Sequence, residues 1–448
     1  YGMNEENRQE FKIDFDWLAR ERGSQLDKAT FAEITLEIDG NIASEVQDSF
    51  SKTTRKAFRA SAYDLAYWFA CNWWRLRWEA PVATDSDWQM SHQLCGIGNG
   101  YVWPNITLYC DGHSMNVRSL KSHGHKIEPI RFLSDFLAGV NIKTFEHEVD
   151  NFIFSIIDRM NQQNLNNSNL QLVWKEVLKE RSQTDSYNWR KLEAILGFDP
   201  DEGPEGLITT LLEKSAVFGP GAIDEISSAT KTAAIETLET LRERTSDATK
   251  QAKIPYFSEL RKQLSKELRA QDFPWQQGEF VAGVMRKALN LGIEPVRDET
   301  LNDIFSLSQQ VIDNVPTDVQ CSISAGYREE STKDRVNLFL PARVKTSRRF
   351  ALLRIVGDHL RYDTTDKLLA VTEAKTSRQK FQRSFAREFL CPFNGLMEIL
   401  GDEPLTDVKI EEAAEYYGVS PLAVTTTLLN KGCIDRSELE PWDWYFNR

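Results

Sequence analysis

The sequence has few cysteines, few histidines and no long apolar run. Six cysteines are spread over 448 residues, which argues against a disulfide framework and predicts reduced thiols in a cytoplasmic protein. No stretch reaches the roughly 18 apolar residues that a membrane helix needs. The most apolar segment, Ala66–Trp74, is shorter and contains Asn72. We therefore expect a cytoplasmic protein that does not enter the membrane.

The sequence also lacks an excess of positive charge and lacks familiar catalytic signatures. Its 54 Lys and Arg stand against 67 Asp and Glu, for a net charge of −13, which disfavours coating of nucleic acid or of an anionic membrane. There is no P-loop, nucleophile elbow or kinase signature. Gly96, Gly98 and Gly100 have the wrong spacing for a dinucleotide fingerprint and precede a strand. No cofactor is therefore expected.

The patterns that are present predict a multidomain α+β protein that is predominantly helical. Alternating segments indicate strands, and Asp-Gly between two of them indicates a hairpin. An apolar pattern on most sides of a helix indicates a buried one. The elements predicted in the first part of the chain are a strand over 30–39, a buried helix over Thr54–Trp78, a hairpin from Tyr101–Cys110 and His113–Leu120, and an amphipathic helix over Phe145–Met160.

The chain is predicted to have three main segments and a tail. Residues 1–160 are expected to form an α+β domain with the β-hairpin. An Asn-rich break over 161–169 begins a helical middle region, 161–271, whose helices are separated by Pro and Gly. Residues 272–434 combine helices with short strands near 320–326 and 336–340. Residues 435–448 are an aromatic, acidic tail.

Two motifs in the third segment resemble a known family. Residues 348–360 read R-R-F-A-L-L-R-I-V-G-D-H-L, and residues 378–393 read R-Q-K-F-Q-R-S-F-A-R-E-F-L-C-P-F. Together they resemble the ImmA/IrrE metallopeptidase-like family, which carries R-R-F-x-L-A-H-E-L-G-H on one helix. A later helix of that family supplies a Glu ligand, followed by F-A-A-E-L-L-M-P. The resemblance covers about residues 275–434, roughly a third of the chain.

The resemblance implies a metallopeptidase scaffold without its metal ligands. When the motifs are aligned on their shared phenylalanine and glycine, the two zinc-binding His positions fall on Arg354 and Asp358. The general-base Glu falls on Ile355, and the third ligand falls near Gln379. The expected domain is thus a degenerate zincin-like α+β fold, a pseudopeptidase, with no catalytic residues and no metal at this site.

The segment around the lost ligands is strongly basic. Arg354 and Asp358 lie four residues apart on one predicted helix, where an intrahelical ion pair is expected. From Arg343 to Arg387 there are 12 basic and 4 acidic residues. These cations either balance the acidic remainder of the molecule or attract an anion or an acidic protein surface. The candidate binding residues are Arg348, Arg349, Arg354, Asp358, Arg378, Gln379 and Arg383.

A second metal pattern lies in the first segment. His92 and Cys95 form one pair with knuckle-like spacing, and Cys110 and His113 form another. Four such side chains would have to meet in the fold for zinc to bind. A helix, loop and hairpin explain the same residues without a metal, so that the sequence leaves zinc binding by them open.

The end of the third segment, Ile410–Ile434, has the pattern of a helix-turn-helix. Its second helix, Ser420–Asn430, has no charged residue, and the first carries Glu411, Glu412 and Glu415. DNA affinity depends heavily on cations that face phosphates. A structural role is therefore favoured for this pair, and a DNA-binding transcriptional regulator stays an alternative.

These patterns lead to three hypotheses about function. Members of the resembled family act beside phage-type repressors, toxin–antitoxin pairs or antiphage systems. The first hypothesis is a bacterial, non-catalytic interaction, sensor or regulatory protein that binds a protein from the same locus, or a nucleotide or nucleic acid at the basic segment. The second is an effector enzyme with activity in residues 1–270 that the C-terminal domain controls. The third is the transcriptional regulator. The oligomeric state is left open.

Overall fold

The chain divides into two compact units, Tyr1–Pro204 (unit 1) and Glu205–Arg448 (unit 2). The predicted fold class is confirmed, because the chain is α+β and predominantly helical. None of the helices in the described residues is both long enough and apolar enough to cross a membrane. The structure, a computed structural model, describes residues 10–81, 85–122, 128–246, 250–254, 260–262, 264, 268, 273–307, 310–313, 321–329, 335–361, 365–401 and 404–434.

The boundary between the two units falls inside the predicted middle region, 161–271. That region is largely helical as expected, but its helices are shared between the units and it also contains the strand Gln251–Lys253. The division into 1–160, 161–271 and 272–434 stays a prediction. The predicted tail, 435–448, lies outside the described residues.

Unit 1 combines three small antiparallel sheets with helices. Its strands are β1 Phe11–Trp17, β2 Phe31–Ile38, β3 Asn41–Ile42, β4 Val46–Asp48, β5 Thr53–Arg55, β6 Phe58–Ser61, β7 Asn105–Cys110, β8 Ser114–Leu120, β9 Ile130–Phe132 and β10 Phe136–Asn141. Its helices are α1 Gln25–Thr30, α2 Ala62–Cys71, α3 Trp73–Trp78, α4 Ser86–His92, α5 Ile142–Gln162, α6 Asn169–Ser182 and α7 Thr184–Leu196. The sheets have the orders β1-β2-β3 with β6 also paired to β2, β10-β8-β7, and β5-β4-β9.

The prediction of one helix over Thr54–Trp78 is wrong at its beginning, and the helical part of this segment is interrupted once. Its first residues form β5 and β6, and β6 pairs with β2. The helix begins at Ala62 because the Ser61 side chain caps it, accepting a hydrogen bond from the Asp64 amide at 3.3 Å. Asn72 then separates α2 from α3.

The strand predicted over 30–39, the hairpin and the helix over Phe145–Met160 are confirmed. They correspond to β2, to the pair β7 and β8, and to α5. In the hairpin turn, the Asp111 carboxylate accepts hydrogen bonds from the amides of His113 and Ser114 at 2.9 and 2.8 Å. Gly112 takes a positive φ of 98°, a conformation that glycine adopts without steric cost.

Unit 2 has one four-stranded antiparallel sheet surrounded by helices. The strands are β11 Gln251–Lys253, β12 Ser324–Arg328, β13 Arg335–Phe339 and β14 Leu368–Val371, in the order β11-β13-β12-β14. The helices are α8 Glu205–Phe218, α9 Pro220–Thr230, α10 Ala234–Arg244, α11 Pro274–Ala288, α12 Asp298–Phe305, α13 Gln310–Asp313, α14 Lys345–Arg361, α15 Ser377–Leu390, α16 Phe393–Leu400, α17 Asp407–Tyr417 and α18 Pro421–Asn430. The helix-turn-helix pattern predicted near the end corresponds to α17 and α18.

Helix α14, which carries the first family-like motif, lies in the centre of unit 2. Every residue from 351 to 360 is buried. It packs closely against α15 at Gly357, where an added Cβ would lie 2.6 Å from the Phe385 ring. On the other side of α15, an added Cβ at Gly278 of α11 would lie 2.6 Å from the Phe381 carbonyl oxygen. The stripe of Phe381, Phe385 and Phe389 is fully buried, as the sequence predicts for a core stripe.

Candidate functional site

Helices α14 and α15 bring together the three positions that the family resemblance assigns to zinc ligands. Arg354 lies one turn before Asp358 on α14, and Gln379 lies in the first turn of α15. Thr376 caps α15 by accepting a hydrogen bond from the Gln379 amide at 3.2 Å. The Arg354 Nη2 then donates to the Gln379 Oε1 at 2.6 Å. All three side chains are buried.

The expected ion pair between Arg354 and Asp358 is wrong. Asp358 instead accepts two hydrogen bonds from Arg378 of α15, from Nε and Nη2, each at 2.7 Å. Arg354 turns to β14 and donates to the Thr372 carbonyl at 2.6 Å. The fork of a guanidinium from the facing helix matches a carboxylate in a bidentate geometry, and the second bond adds both energy and geometric specificity.

A second carboxylate completes the pairing of Arg378. Its Nη1 donates to the Asp366 Oδ2 at 2.6 Å. Burial opposes the charge of Arg378, but the carboxylates of Asp358 and Asp366 raise its pKa well above the ordinary value. The Asp366 Oδ1 accepts from the Gly221 amide at 2.9 Å, at the start of α9. An added Cβ at Gly221 would lie 2.4 Å from the Arg378 Nη1, so that glycine allows this approach.

Helix α9 also supplies Glu225, which sequence reasoning missed. Its Oε2 accepts from the Thr376 hydroxyl and from the Gln379 Nε2, each at 2.8 Å. Burial raises the pKa of Glu225 to about 7, although the charge of Arg378 acts in the opposite direction. We call the six charged or amide side chains in these bonds the buried network: Asp358, Asp366 and Arg378 in one hydrogen-bonded group, and Glu225, Arg354 and Gln379 in the other.

His359, next to Asp358, is held through Nδ1, while its Nε2 is buried without a hydrogen-bond partner among the described residues. Its Nδ1 accepts a hydrogen bond from the Arg328 Nε at 3.1 Å. Burial and the charges of Arg328 and Arg261 lower the pKa of His359 to about 3. The imidazole is therefore neutral. Arg328 also donates a hydrogen bond from Nη1 to the Asp366 carbonyl oxygen at 2.7 Å.

Two of the seven candidate binding residues lie away from the buried network. Arg348 is buried and donates to carbonyl oxygens, among them Ile312 at 2.6 Å and Ala342 at 2.7 Å. Arg349 pairs with Asp298 and donates to a neighbouring carbonyl. Both side chains therefore fix the segments that flank α14. The other five candidates, Arg354, Asp358, Arg378, Gln379 and Arg383, are brought together at the contact of α14 with α15.

The side chains of the buried network do not fit the zinc ion that the family resemblance would imply. Zinc needs neutral or anionic ligands with open lone pairs. Here two guanidiniums, Arg354 and Arg378, lie among the carboxylates and already use the oxygens of Asp358 and Gln379. Within the ranges that the structure describes, no group of three or more His, Cys, Asp or Glu side chains could hold a metal ion.

The knuckle-like residues of unit 1 have separate partners. His92 contacts the Leu108 carbonyl oxygen through Nδ1 at 2.7 Å and the Glu79 Oε2 through Nε2 at 3.2 Å. Burial raises the pKa of the Cys110 thiol to about 11, and Cys95 is exposed. His113 is not brought into a metal-ligating group with these residues.

Comparison with known proteins leaves this geometry to be interpreted on its own. No family model matches the chain, and searches of curated proteins and of solved structures returned no match. The resemblance of residues 275–434 to the ImmA/IrrE family therefore stays a prediction. The chemistry of the buried network and of the side chains around it is the basis for the function proposed below.

Proposed function

We propose that the protein is a non-catalytic regulatory or interaction protein, and that residues 275–434 form an ImmA/IrrE-like pseudopeptidase domain. The observation that supports this proposal is the convergence of Arg354, Asp358 and Gln379. These positions were aligned with zinc ligands from the sequence alone, and all three side chains are buried where α14 packs against α15. Arg354 bonds to Gln379, and Asp358 bonds to Arg378, the residue before Gln379, so that their polar atoms bond to one another or to a guanidinium instead of to a cation.

The chemistry at this place argues against hydrolysis. A zinc peptidase needs a Lewis acid, an activated water and a general base. Ile355 stands at the position of the base and is fully buried. The two guanidiniums repel a divalent cation, and the oxygens are already engaged. A domain with these side chains can bind a partner but has no means to cleave it.

The setting of the resembled family suggests what the partner is. Its members act beside repressors, toxin–antitoxin pairs and antiphage systems, and an inactive member is expected to bind a regulator instead of cutting it. The proposed role is thus regulation, in the bacterial cytoplasm, of a protein encoded at the same locus. The alternative of an effector enzyme in the N-terminal half gains no support from His92, which is fully buried.

The scaffold claim is tested by putting the ligands back. A variant with Arg354→His, Ile355→Glu, Asp358→His and Gln379→Glu restores the family motif. Arg378→Gln is added so that no guanidinium is left without Asp358. We expect this variant to hold about one zinc per chain, as catalytic sites with two His and one Glu ligand do. Atomic emission gives the stoichiometry, and the cobalt-substituted protein reports tetrahedral geometry by its visible spectrum.

The matched control has alanine in place of both new histidines and keeps the other three substitutions. Circular dichroism establishes that both variants are folded. A folded restored variant that binds no more zinc than the control would contradict a zincin-like scaffold. Stoichiometric zinc in the unmodified protein that is lost in Asp358→Ala, or metal-dependent proteolysis, would sink the non-catalytic proposal.

The partner claim is tested in the native host. A tagged chromosomal copy is purified, and the proteins that accompany it are quantified by mass spectrometry. We expect enrichment of the product of an adjacent gene and reconstitution of the complex from the two purified proteins. If adjacent gene products neither co-purify nor bind the purified protein, the regulatory role is contradicted.

A further inference from the structure

A group of cations lies at the edge of the buried network. Lys375 lies two residues before the start of α15, and Arg383 and Arg387 follow one turn apart on that helix. Arg354 of the buried network completes the group. We call Arg354, Lys375, Arg383 and Arg387 the cation rim. Lys375, Arg383 and Arg387 are half-buried, so that they remain accessible to a small ligand.

Arg383 repels each of the other three cations of the rim. Burial and the charge of Arg383 lower the pKa of Lys375 to about 8 and that of Arg354 to about 9. Burial and Arg383 also lower the pKa of Arg387 to about 10, against the charge of Glu279. Glu279 is itself bonded to Lys431 at 2.7 Å. Charges held this close without enough acid favour the binding of an anion.

Glu373 is the carboxylate that contacts the rim cations, and its contacts with them are long. Its Oε1 lies 3.4 Å from the Arg354 Nη1, and its Oε2 lies 3.5 Å from the Arg383 Nη2. Charge-assisted bonds between such groups are normally about 2.7–2.9 Å long. The Glu373 side chain is 88% exposed. In the described part of the chain, Lys375 and Arg387 have no hydrogen-bonding or ion-pair partner for their side chains.

The donors of the rim are partly fixed in place. The Arg383 Nη2 donates to the carbonyl oxygens of Thr372 and Ala374 at 3.2 and 3.1 Å. The Arg354 Nη2 is held by Thr372 and Gln379, while the Arg354 Nε is buried without a hydrogen-bond partner among the described residues. A ligand would therefore meet two oriented guanidiniums, those of Arg354 and Arg383, and would not have to order them first.

We propose that the cation rim binds the phosphoryl group of a small phosphorylated molecule, which displaces the carboxylate of Glu373. Glu373 is the carboxylate in contact with the rim, and Glu225 and Glu279 act on its cations through their charges. A dianion with three acceptor oxygens matches the positive charge that remains better than a second carboxylate does. The proposal deepens the proposed function and rests on it for its meaning, because such a ligand would be what the non-catalytic domain senses.

The test is isothermal titration of the complete 448-residue chain with inorganic pyrophosphate at low salt. Arg383→Gln combined with Arg387→Gln should weaken binding roughly tenfold or more, since a hydrogen bond to a charged group contributes that much. Glu373→Gln should tighten binding about tenfold because the competing carboxylate loses its charge. Lys287→Gln on α11 and Glu398→Gln on α16, both exposed, are matched controls that should change neither.

Citrate and a phosphoserine peptide distinguish the ligand classes. Citrate should bind more weakly than pyrophosphate, and equal affinity would overturn the preference for phosphoryl groups. Tighter binding of the peptide than of pyrophosphate would overturn the assignment to a small free molecule. The absence of binding to both the unmodified protein and Glu373→Gln, or equal affinity in the rim variants and the controls, would overturn the site itself.

The failure of this site and the failure of the proposed function have different signatures. Pyrophosphate binding that follows the rim variants, together with no zinc in the restored variant, keeps the anion site and removes the pseudopeptidase scaffold. Zinc in the restored variant without pyrophosphate binding does the reverse. The zinc variants leave Lys375, Arg383, Arg387 and Glu373 unchanged.

Discussion

Each of the two units contains a buried polar group at a place where the sequence raised the question of a metal. In unit 1, Glu79 accepts from the Arg75 Nε at 2.7 Å and contacts His92, which stacks on Trp88 with ring centroids 4.2 Å apart. We call Arg75, Glu79 and His92 the His92 cluster. Burial lowers the pKa of His92, against the effect of Glu79. The counterpart in unit 2 is the buried network.

The two groups differ in whether their charges are balanced. Arg75 has Glu79 and, at 3.2 Å, also Asp199 as partners, so the cation of the His92 cluster is fully paired with carboxylates. The buried network is matched around Arg378 but continues into the cation rim, where cations exceed acids. Burying charge is costly unless it is paired. A cluster whose charges are all paired is therefore explained by the fold, whereas a cluster with an excess of cations indicates a ligand-binding site.

The largest expected effect comes from breaking the bidentate pair in unit 2. Asp358→Asn removes the charge that Arg378 meets on α14 and leaves a buried guanidinium with one carboxylate. The free energy of unfolding should fall by about 3–5 kcal/mol, the usual cost of breaking a buried pair. Urea unfolding followed by hydrogen exchange of amides in α14 and α15 measures the loss in unit 2 itself.

Two substitutions serve as controls for this prediction, one in the His92 cluster and one at an exposed position of unit 2. Glu79→Gln should cost a similar amount in unit 1, because Arg75 and His92 lose the same partner. Asp303→Asn, on an exposed position of α12, should change the free energy by no more than about 0.5 kcal/mol. A small loss in Asp358→Asn beside a large one in Glu79→Gln would show that the buried network is not held by its charges.

The second effect depends on pH and isolates Glu225. Its pKa is raised by burial to about 7 in the folded protein from an ordinary value of 4.5. The stability that this group contributes is thus fully present below pH 4.5 and is lost as the pH rises through 7. Glu225→Gln does not titrate, so between pH 4.5 and 8 it should gain up to about 3 kcal/mol relative to the unmodified protein.

Urea unfolding of both proteins at pH 5 and pH 8 gives this difference directly. Glu236→Gln, an exposed position on α10, is the matched control and should show no such trend. A difference between Glu225→Gln and the unmodified protein that is constant with pH would mean that Glu225 is ionised throughout. An ionised Glu225 would offset part of the positive charge of Arg354 and Arg383, and the rim would be closer to charge balance.

Local patterns predicted some parts of the molecule and long-range contacts decided others. Asp111-Gly112 predicted the hairpin because the turn is determined by its own residues. The beginning of α2 was missed because 58–61 forms a strand only by pairing with β2. The family resemblance assigned Arg354, Asp358 and Gln379 to one site, and helix geometry by itself accounts only for the four-residue spacing of Arg354 and Asp358.

The partners of these residues could not be predicted in the same way. Asp358 pairs with Arg378 on the facing helix and not with Arg354 on its own, a choice that depends on how α14 and α15 pack. Glu225 comes from a helix far earlier in the chain, and no spacing connects it to Gln379. The buried positions of Arg348 and Arg349 likewise follow from tertiary packing, which a count of basic residues does not contain.

The smallest expected effect, a difference in reaction rate, tests whether the rim is open. Lys375 has a pKa lowered to about 8 by burial and by Arg383 and Lys380, against Glu373. At pH 7.5 roughly a quarter of its amines are uncharged, against about a thousandth for an ordinary lysine. Competitive labelling with acetic anhydride, read by mass spectrometry, should therefore modify Lys375 at least tenfold faster than the exposed Lys287.

Pyrophosphate should slow the labelling of Lys375, because a bound anion raises the lysine pKa. Equal rates at the two lysines, with or without pyrophosphate, would show that the cations of the rim are paired as those of the His92 cluster are. The contrast between the two units would then be lost.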